Sequence, residues 1–288
     1  MKRITLLLSL PILFSLVGCN DYVDTSKTIY TSFYPVYEFT KRIVGDKYHV
    51  VSLVPPGSEP HDFELTARQV ARIYDSKALF INGLDMEVWS SSLDSHIKKK
   101  TYVLSNGIET RKEGGITDPH IWLDPLKAIE EMRNVTTYMS QIDSENTSFY
   151  EANFIVARNG FLQLDEELAG ICASFSNKNV LVNHAAFGYM CDRYGLNQIS
   201  VNGLEPSSTP GPKTIVDIIN KVNEYHVNTI FTEELSSPEV SELIARECGI
   251  KTDTLNPLEG LEQEEIDAGE NYISVMKDNF ARLKEACK

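Results

Sequence analysis

The chain has 288 residues, 42% of them hydrophobic, which supplies packed cores on the scale of about two domains and excludes a disordered or collagen-like chain. It carries 27 Lys and Arg against 41 Asp and Glu, a formal net charge of -14. That balance repels phosphate backbones and anionic lipid, so nucleic acid is excluded as a partner and the surface is compatible with cations.

The amino terminus opens with Lys2 and Arg3, followed by an uncharged run from Ile4 to Leu16. The run is shorter than the about 20 apolar residues of a spanning helix and has the form of a secretory signal. It ends in Leu16-Val17-Gly18-Cys19, which resembles a bacterial lipobox. Residues 1–18 are therefore read as a signal peptide and Cys19 as the lipidated amino terminus. Residues 19–26 are read as a tether on the outer face of the cell membrane.

Strand-like and helical patterns then alternate. A strand is expected at 28–33 and a helix at 36–44. A β-branched strand at 50–54 stops at Pro55-Pro56-Gly57. An amphipathic helix at 66–74 is followed by short strands at 78–81 and 102–104, each ending in Asn-Gly or close to it. Between 144 and 175 the apolar residues Tyr150, Phe154, Ala157, Phe161, Leu164, Leu168, Ile171 and Phe175 step by four and three in turn. This predicts one helix of about 45 Å, longer than a small domain is wide. The alternation resumes with strands at 179–182, 198–201, 229–232 and 251–255. Helices are expected at 188–194, 214–225, 238–247 and 270–285.

The expected fold class is α/β: two (β/α) lobes with parallel-type sheets, residues 27–143 and 177–288, joined by one long bridging α-helix at 144–176. Ligands of such folds sit beyond the carboxyl ends of the strands. No later stretch is apolar enough to span a bilayer. Cys172, Cys191, Cys248 and Cys287 have no CxxC spacing, so they are either disulfide partners or buried small hydrophobes.

Of six histidines, His49, His96 and His226 read as surface residues. His61, His120 and His184 lie in short loops, two of them directly beyond strands. Imidazole is the commonest ligand of first-row metals, and three imidazoles with one carboxylate close a tetrahedral set. The carboxylate candidates are Glu59, Glu205, Glu233, Glu234, Asp253 and Glu259. Glu259 follows the last strand, at the crevice edge, and is preferred. Glu233 and Glu234 are kept as outer partners able to fix an imidazole tautomer.

Seven segments carry a family resemblance. They are Thr31 to Pro35, Val54 to His61, Asn82 to Trp89, Asp118-Pro119-His120-Ile121-Trp122-Leu123-Asp124-Pro125, His184 to Tyr189, Phe231 to Glu234 and Asn256 to Glu259. Together they resemble the zinc/manganese solute-binding lipoproteins of ABC importers, over nearly the whole chain from Ile29 to about Ala286. The resemblance implies metal ligands at His61, His120, His184 and Glu259. It implies Zn2+ as the bound ion, with Mn2+ as the alternative, because manganese-type members commonly carry Glu where this chain has His184. It also implies a membrane permease with a cytoplasmic ATPase as partner, reached from a lipid-anchored, extracytoplasmic monomer. The chain departs from many zinc members in one respect: residues 108–117 are short and contain no His.

Two other readings differ in class. A surface adhesin is compatible with the tether. A secreted zinc hydrolase needs an open coordination position and a general base, whereas Glu259 would fill that position and HExxH is absent. The chain also lacks a GxxxxGK[ST] loop, so energy for transport must come from other subunits, and no enzymatic activity is expected.

Overall fold

The computed structural model describes residues 24–288. The signal segment, Cys19 and most of the tether lie outside the described residues.

Two parallel four-stranded sheets organise the chain. The first contains β1 (Thr28–Thr31), β2 (His49–Ser52), β3 (Ala78–Ile81) and β4 (Thr101–Val103), in the order β2-β1-β3-β4. A small antiparallel hairpin, β5 (Lys112–Glu113) and β6 (Ile116–Thr117), follows. The second sheet contains β7 (Asn179–Val182), β8 (Asn197–Ser200), β9 (Thr229–Thr232) and β10 (Lys251–Thr254), in the order β10-β9-β7-β8. Both sheets thus share one connectivity, with the first strand between the second and third. Strands β1, β3 and β9 are buried at every position, which is why they read as continuous runs rather than alternating ones.

The helices are α1 (Tyr34–Val44), α2 (Ala67–Asp75), α3 (Ser95–Lys98), α4 (Pro125–Ile142), α5 (Thr147–Cys172), α6 (Gly188–Tyr194), α7 (Pro212–Glu224), α8 (Glu239–Cys248), α9 (Gln263–Ala268) and α10 (Tyr272–Ala286). The long helix is α5, with 26 residues and a length of about 39 Å. It is shorter than its apolar stripe because Ser144–Asn146 form a 3-10 turn and Phe175 packs beyond the helix end. The stripe is buried as its periodicity requires: Tyr150, Phe154, Phe161, Leu164 and Leu168 are all at most 2% exposed. Each such burial contributes about 1.5–3 kcal/mol.

Helix α5 touches α1 and α4 on one side and α6 and α10 on the other. Phe161 meets Phe39 of α1 edge-on at 6.0 Å and stacks on Tyr272 of α10 at 4.6 Å. The largest hydrophobic cluster accordingly runs through both halves, so the two lobes share one core. Separate smaller clusters fill the outer layer of each sheet.

Helix α4 has no counterpart among the sequence expectations. Asp124 caps it by accepting from the Leu126 N–H at 2.9 Å, and Pro125 occupies its first turn. Its inward face mixes Met132, Val135 and Met139 with Glu131 and Thr136, which dilutes the apolar period. The four cysteines of the described residues are free thiols. Cys172, Cys191 and Cys287 are buried in the shared core, and burial pushes the Cys172 thiol up to about 12 and Cys287 to about 11. They act as small hydrophobes.

Candidate metal centre

The loop after β2 carries His61. Its turn is Pro55-Pro56-Gly57, with Gly57 at φ 68°, and the Gly57 N–H donates to the Leu261 carbonyl at 3.0 Å. The positive φ at Gly57 favours glycine, and a Cβ there would also have to displace the Glu262 carboxylate. The His61 N–H donates to Glu59 Oε1 at 3.1 Å, which turns the side chain inward to 4% exposure.

His120 lies past the β5–β6 hairpin, between the Asp118-Pro119 step and the 3-10 turn Ile121–Leu123. Asp118 Oδ1 accepts from the His120 N–H at 3.0 Å and lies 2.8 Å from its Nδ1. This pairing fixes Nδ1 as the protonated nitrogen and leaves the Nε2 lone pair facing the site. His184 caps the turn after β7; its N–H donates to Glu233 Oε1 at 3.3 Å. Glu233 Oε1 is also 3.2 Å from His184 Nδ1, but without the alignment of a hydrogen bond.

Glu259 follows β10. Asn256 Oδ1 accepts from the Leu258 N–H at 2.7 Å, and Asn256 is itself held by Asn279 of α10 through bonds of 2.9 and 2.7 Å. Leu258 is fully buried at φ 60°, a left-handed conformation that costs a leucine roughly 1–3 kcal/mol. That strain aims Glu259 into the crevice.

All four side chains converge, with their ligand atoms within 4.8 Å of one another. His120 Nε2 is 3.3 Å from His61 Nε2 and 3.4 Å from His184 Nε2. Glu259 Oε1 is 3.1 Å from His120 Nε2 and 3.4 Å from both His61 Nε2 and His184 Nε2. A regular tetrahedron with bonds of about 2.0–2.1 Å has edges of roughly 3.3–3.4 Å. Five of the six distances among the ligand atoms thus have the spacing of a tetrahedral set around a small divalent cation.

Electrostatics point the same way. Burial opposes a charged Glu259, yet the imidazoles of His61, His184 and His120 hold its carboxyl well below the usual range. Burial likewise opposes charge on His184, but Glu259 and Glu233 raise it to about 10; Asp118 and Glu259 raise His120 in the same manner. Burial and the Glu259 charge push Glu59 up to about 6. A buried carboxylate that raises the imidazoles of His120 and His184 marks a site built for positive charge.

The remaining candidates are placed elsewhere. Glu205 Oε2 is 3.7 Å from His61 Nδ1 on the exposed side. Glu234 turns away to accept from Asn256 Nδ2 at 2.9 Å, so of the Glu233-Glu234 pair only Glu233 stands beside a site histidine. Asp253 pairs with Arg282 at 2.7 Å. His49 and His226 are exposed, and His96 stacks on Tyr74 at 4.3 Å. In the sequence Asp118 stood out only within the motif around His120, with no role of its own, and nothing in the sequence pattern singled out Arg111, whose guanidinium bonds Asp118 at 2.6 Å.

Two parallel α/β lobes around one closed His3Glu cluster define a metal-binding protein of the two-lobe solute-binding class. The chain belongs to the family described as "Zinc-uptake complex component A periplasmic", whose model matches residues 29–286. It is 34% identical to the "Zinc-binding lipoprotein AdcA" of Streptococcus pneumoniae (strain ATCC BAA-255 / R6), over 99% of this chain and 61% of that protein. The chain thus spans about three fifths of the length of the AdcA relatives it matches. It is also 34% identical to the "High-affinity zinc uptake system protein ZnuA" of Bacillus subtilis (strain 168), over 93% of this chain and 90% of the other. The crystal structure of the Zn(II)-bound ZnuA-like domain of Streptococcus pneumoniae AdcA superposes with a TM-score of 0.81 at 34% identity, covering 91% of this chain and 99% of that one. Components of this family are extracytoplasmic, and no helix among the described residues is long and apolar enough to cross a membrane.

Proposed function

We propose that the protein captures Zn2+ outside the cytoplasm, through His61, His120, His184 and Glu259, and hands it to a membrane permease driven by a cytoplasmic ATPase. The observation that carries this reading is that five of the six ligand-to-ligand distances fall at 3.1 to 3.4 Å, the spacing expected around tetrahedral zinc. Mn2+ favours oxygen ligands and higher coordination numbers, so three imidazoles in a small closed set favour zinc. All four positions are filled by protein, leaving none for a reactive water, which supports binding and release over hydrolysis. The names of the relatives and of the family agree with zinc uptake. Lipidation at Cys19 would keep the protein at the membrane where the permease lies.

The test is a competition titration of metal-free protein with Zn2+ and Mn2+. The expected result is one tight Zn2+ per chain that an excess of Mn2+ does not displace. Equal occupancy by the two ions at equal concentration would overturn the zinc reading.

A further inference from the structure

The β5–β6 hairpin is preceded by Arg111, whose side chain reaches toward the site. Arg111, at the base of the hairpin, donates Nη1–H to Asp118 Oδ2 at 2.6 Å. Its Nε–H reaches Asp192 Oδ2 of α6 at 2.9 Å, and Nη2 lies 3.2 Å from Glu113. Asp118 is fully buried and uses its other oxygen on His120. The backbone N–H of Arg111 donates to the Tyr189 hydroxyl at 3.0 Å, and that hydroxyl donates to the Asp118 carbonyl at 2.9 Å. The guanidinium therefore joins the Asp118–His120 pair to a helix of the second lobe.

We infer that Arg111 is a positioning residue for metal capture, acting through Asp118 to hold the His120 imidazole in register and coupling that ligand to α6. The inference rests on the His61–His120–His184–Glu259 site being the metal site. Its basis is geometric. A carboxylate with one oxygen on a ligand histidine is free to swing about its Cβ–Cγ bond. A forked cation on the other oxygen removes that freedom, and a bidentate-capable guanidinium does so better than a point charge.

A second residue points to the same contact. A Cβ on Gly188, at the start of α6, would overlap the Arg111 guanidinium and crowd Asp118 Oδ2. Gly188 has ordinary helical dihedrals (φ -59°), so the backbone does not require glycine there. The space it leaves is occupied by the Arg111 head group. Gly188→Ala should displace that head group while slightly favouring the helix.

The experiment uses the whole chain with Co2+ as a spectroscopic probe and Zn2+ in chelator competition. Arg111→Ala and Gly188→Ala are each expected to weaken Zn2+ about ten- to hundredfold, the usual range for outer partners of a ligand histidine. Both should alter the visible Co2+ bands in the same way, and Arg111→Lys should restore part of the loss. The double variant should lose no more than the worse single one, because both changes remove one contact. Unchanged Co2+ bands and Zn2+ affinity in folded Arg111→Ala would overturn the inference, as would additive losses in the double variant. If the wild type itself took up neither ion at this site, the zinc-capture reading would fail first, so the two failures are distinguishable.

Discussion

The Trp122 indole N–H donates to the Pro257 carbonyl at 2.8 Å, tying the loop that carries His120 to the loop that carries Glu259. Trp122 is fully buried, meets Phe33 edge-on at 4.9 Å, and accepts from the Tyr272 hydroxyl through its own carbonyl at 2.6 Å. Trp122→Phe keeps the apolar mass but leaves the Pro257 carbonyl unpaired. A loss of about 1–3 kcal/mol in denaturant unfolding of the metal-free protein is expected, together with weaker Zn2+ binding. Unfolding curves that coincide with wild type would show that the bond does not set the spacing of the two loops.

Gly57 also makes an inter-loop bond, from its N–H to the Leu261 carbonyl. Gly57→Ala places a side chain at φ 68° and against the Glu262 carboxylate. The dihedral alone costs roughly 1–2 kcal/mol. The variant should melt lower than wild type, and Gly57→Asn, which tolerates a left-handed backbone better, should lose less of its backbone stability. Calorimetry of both variants checks this order.

The site's charges give the metal-free protein and zinc binding opposite pH slopes. His184, raised to about 10 against the opposing effect of burial, contributes stability that is present below its ordinary 6.5 and lost as pH rises toward 10. Glu259, held well below 4.5 despite burial, contributes stability that is present above 4.5 and lost as pH falls. The site's contribution therefore peaks between 4.5 and 6.5 in the absence of metal. Zinc needs unprotonated imidazoles, so its affinity should climb through pH 6.5 and beyond, with protons released on binding. Chelator competition across that range reads the slope, and a flat profile would contradict three imidazole ligands.

Glu131 on α4 is 1% exposed, with Oε2 lacking a hydrogen-bond partner, and burial pushes its carboxyl well above 4.5. The folded chain keeps this proton while the unfolded chain gives it up, so Glu131 lowers stability progressively as pH rises above 4.5. Glu131→Gln removes that dependence. The variant should gain over wild type at pH 8 and not at pH 4, as read by thermal melts at both.

Much of this was legible in the sequence for a physical reason. β3 and β9 coincide with their expected runs because they are buried on both faces and bounded by polar turns. α5 was visible because its stripe is unbroken, and the convergence of His61, His184 and Glu259 because short loops after strands collect at one crevice. α4 was not legible, since Glu131 and Thr136 interrupt its inward face. The α9 helix is only six residues long, too short for a period to emerge. Arg111 could not be found from local pattern at all: its partners Asp118 and Asp192 come from a loop and from the second lobe, 7 and 81 residues away.

His61, His120, His184 and Glu259 are proposed to hold one zinc ion together. The most direct test is metal analysis of metal-exchanged protein, wild type beside His61→Ala, His120→Ala, His184→Ala and Glu259→Gln. About one zinc per wild-type chain and a loss of at least tenfold in affinity for each variant are expected. Zinc at one per chain with wild-type affinity in all four variants would contradict this assignment.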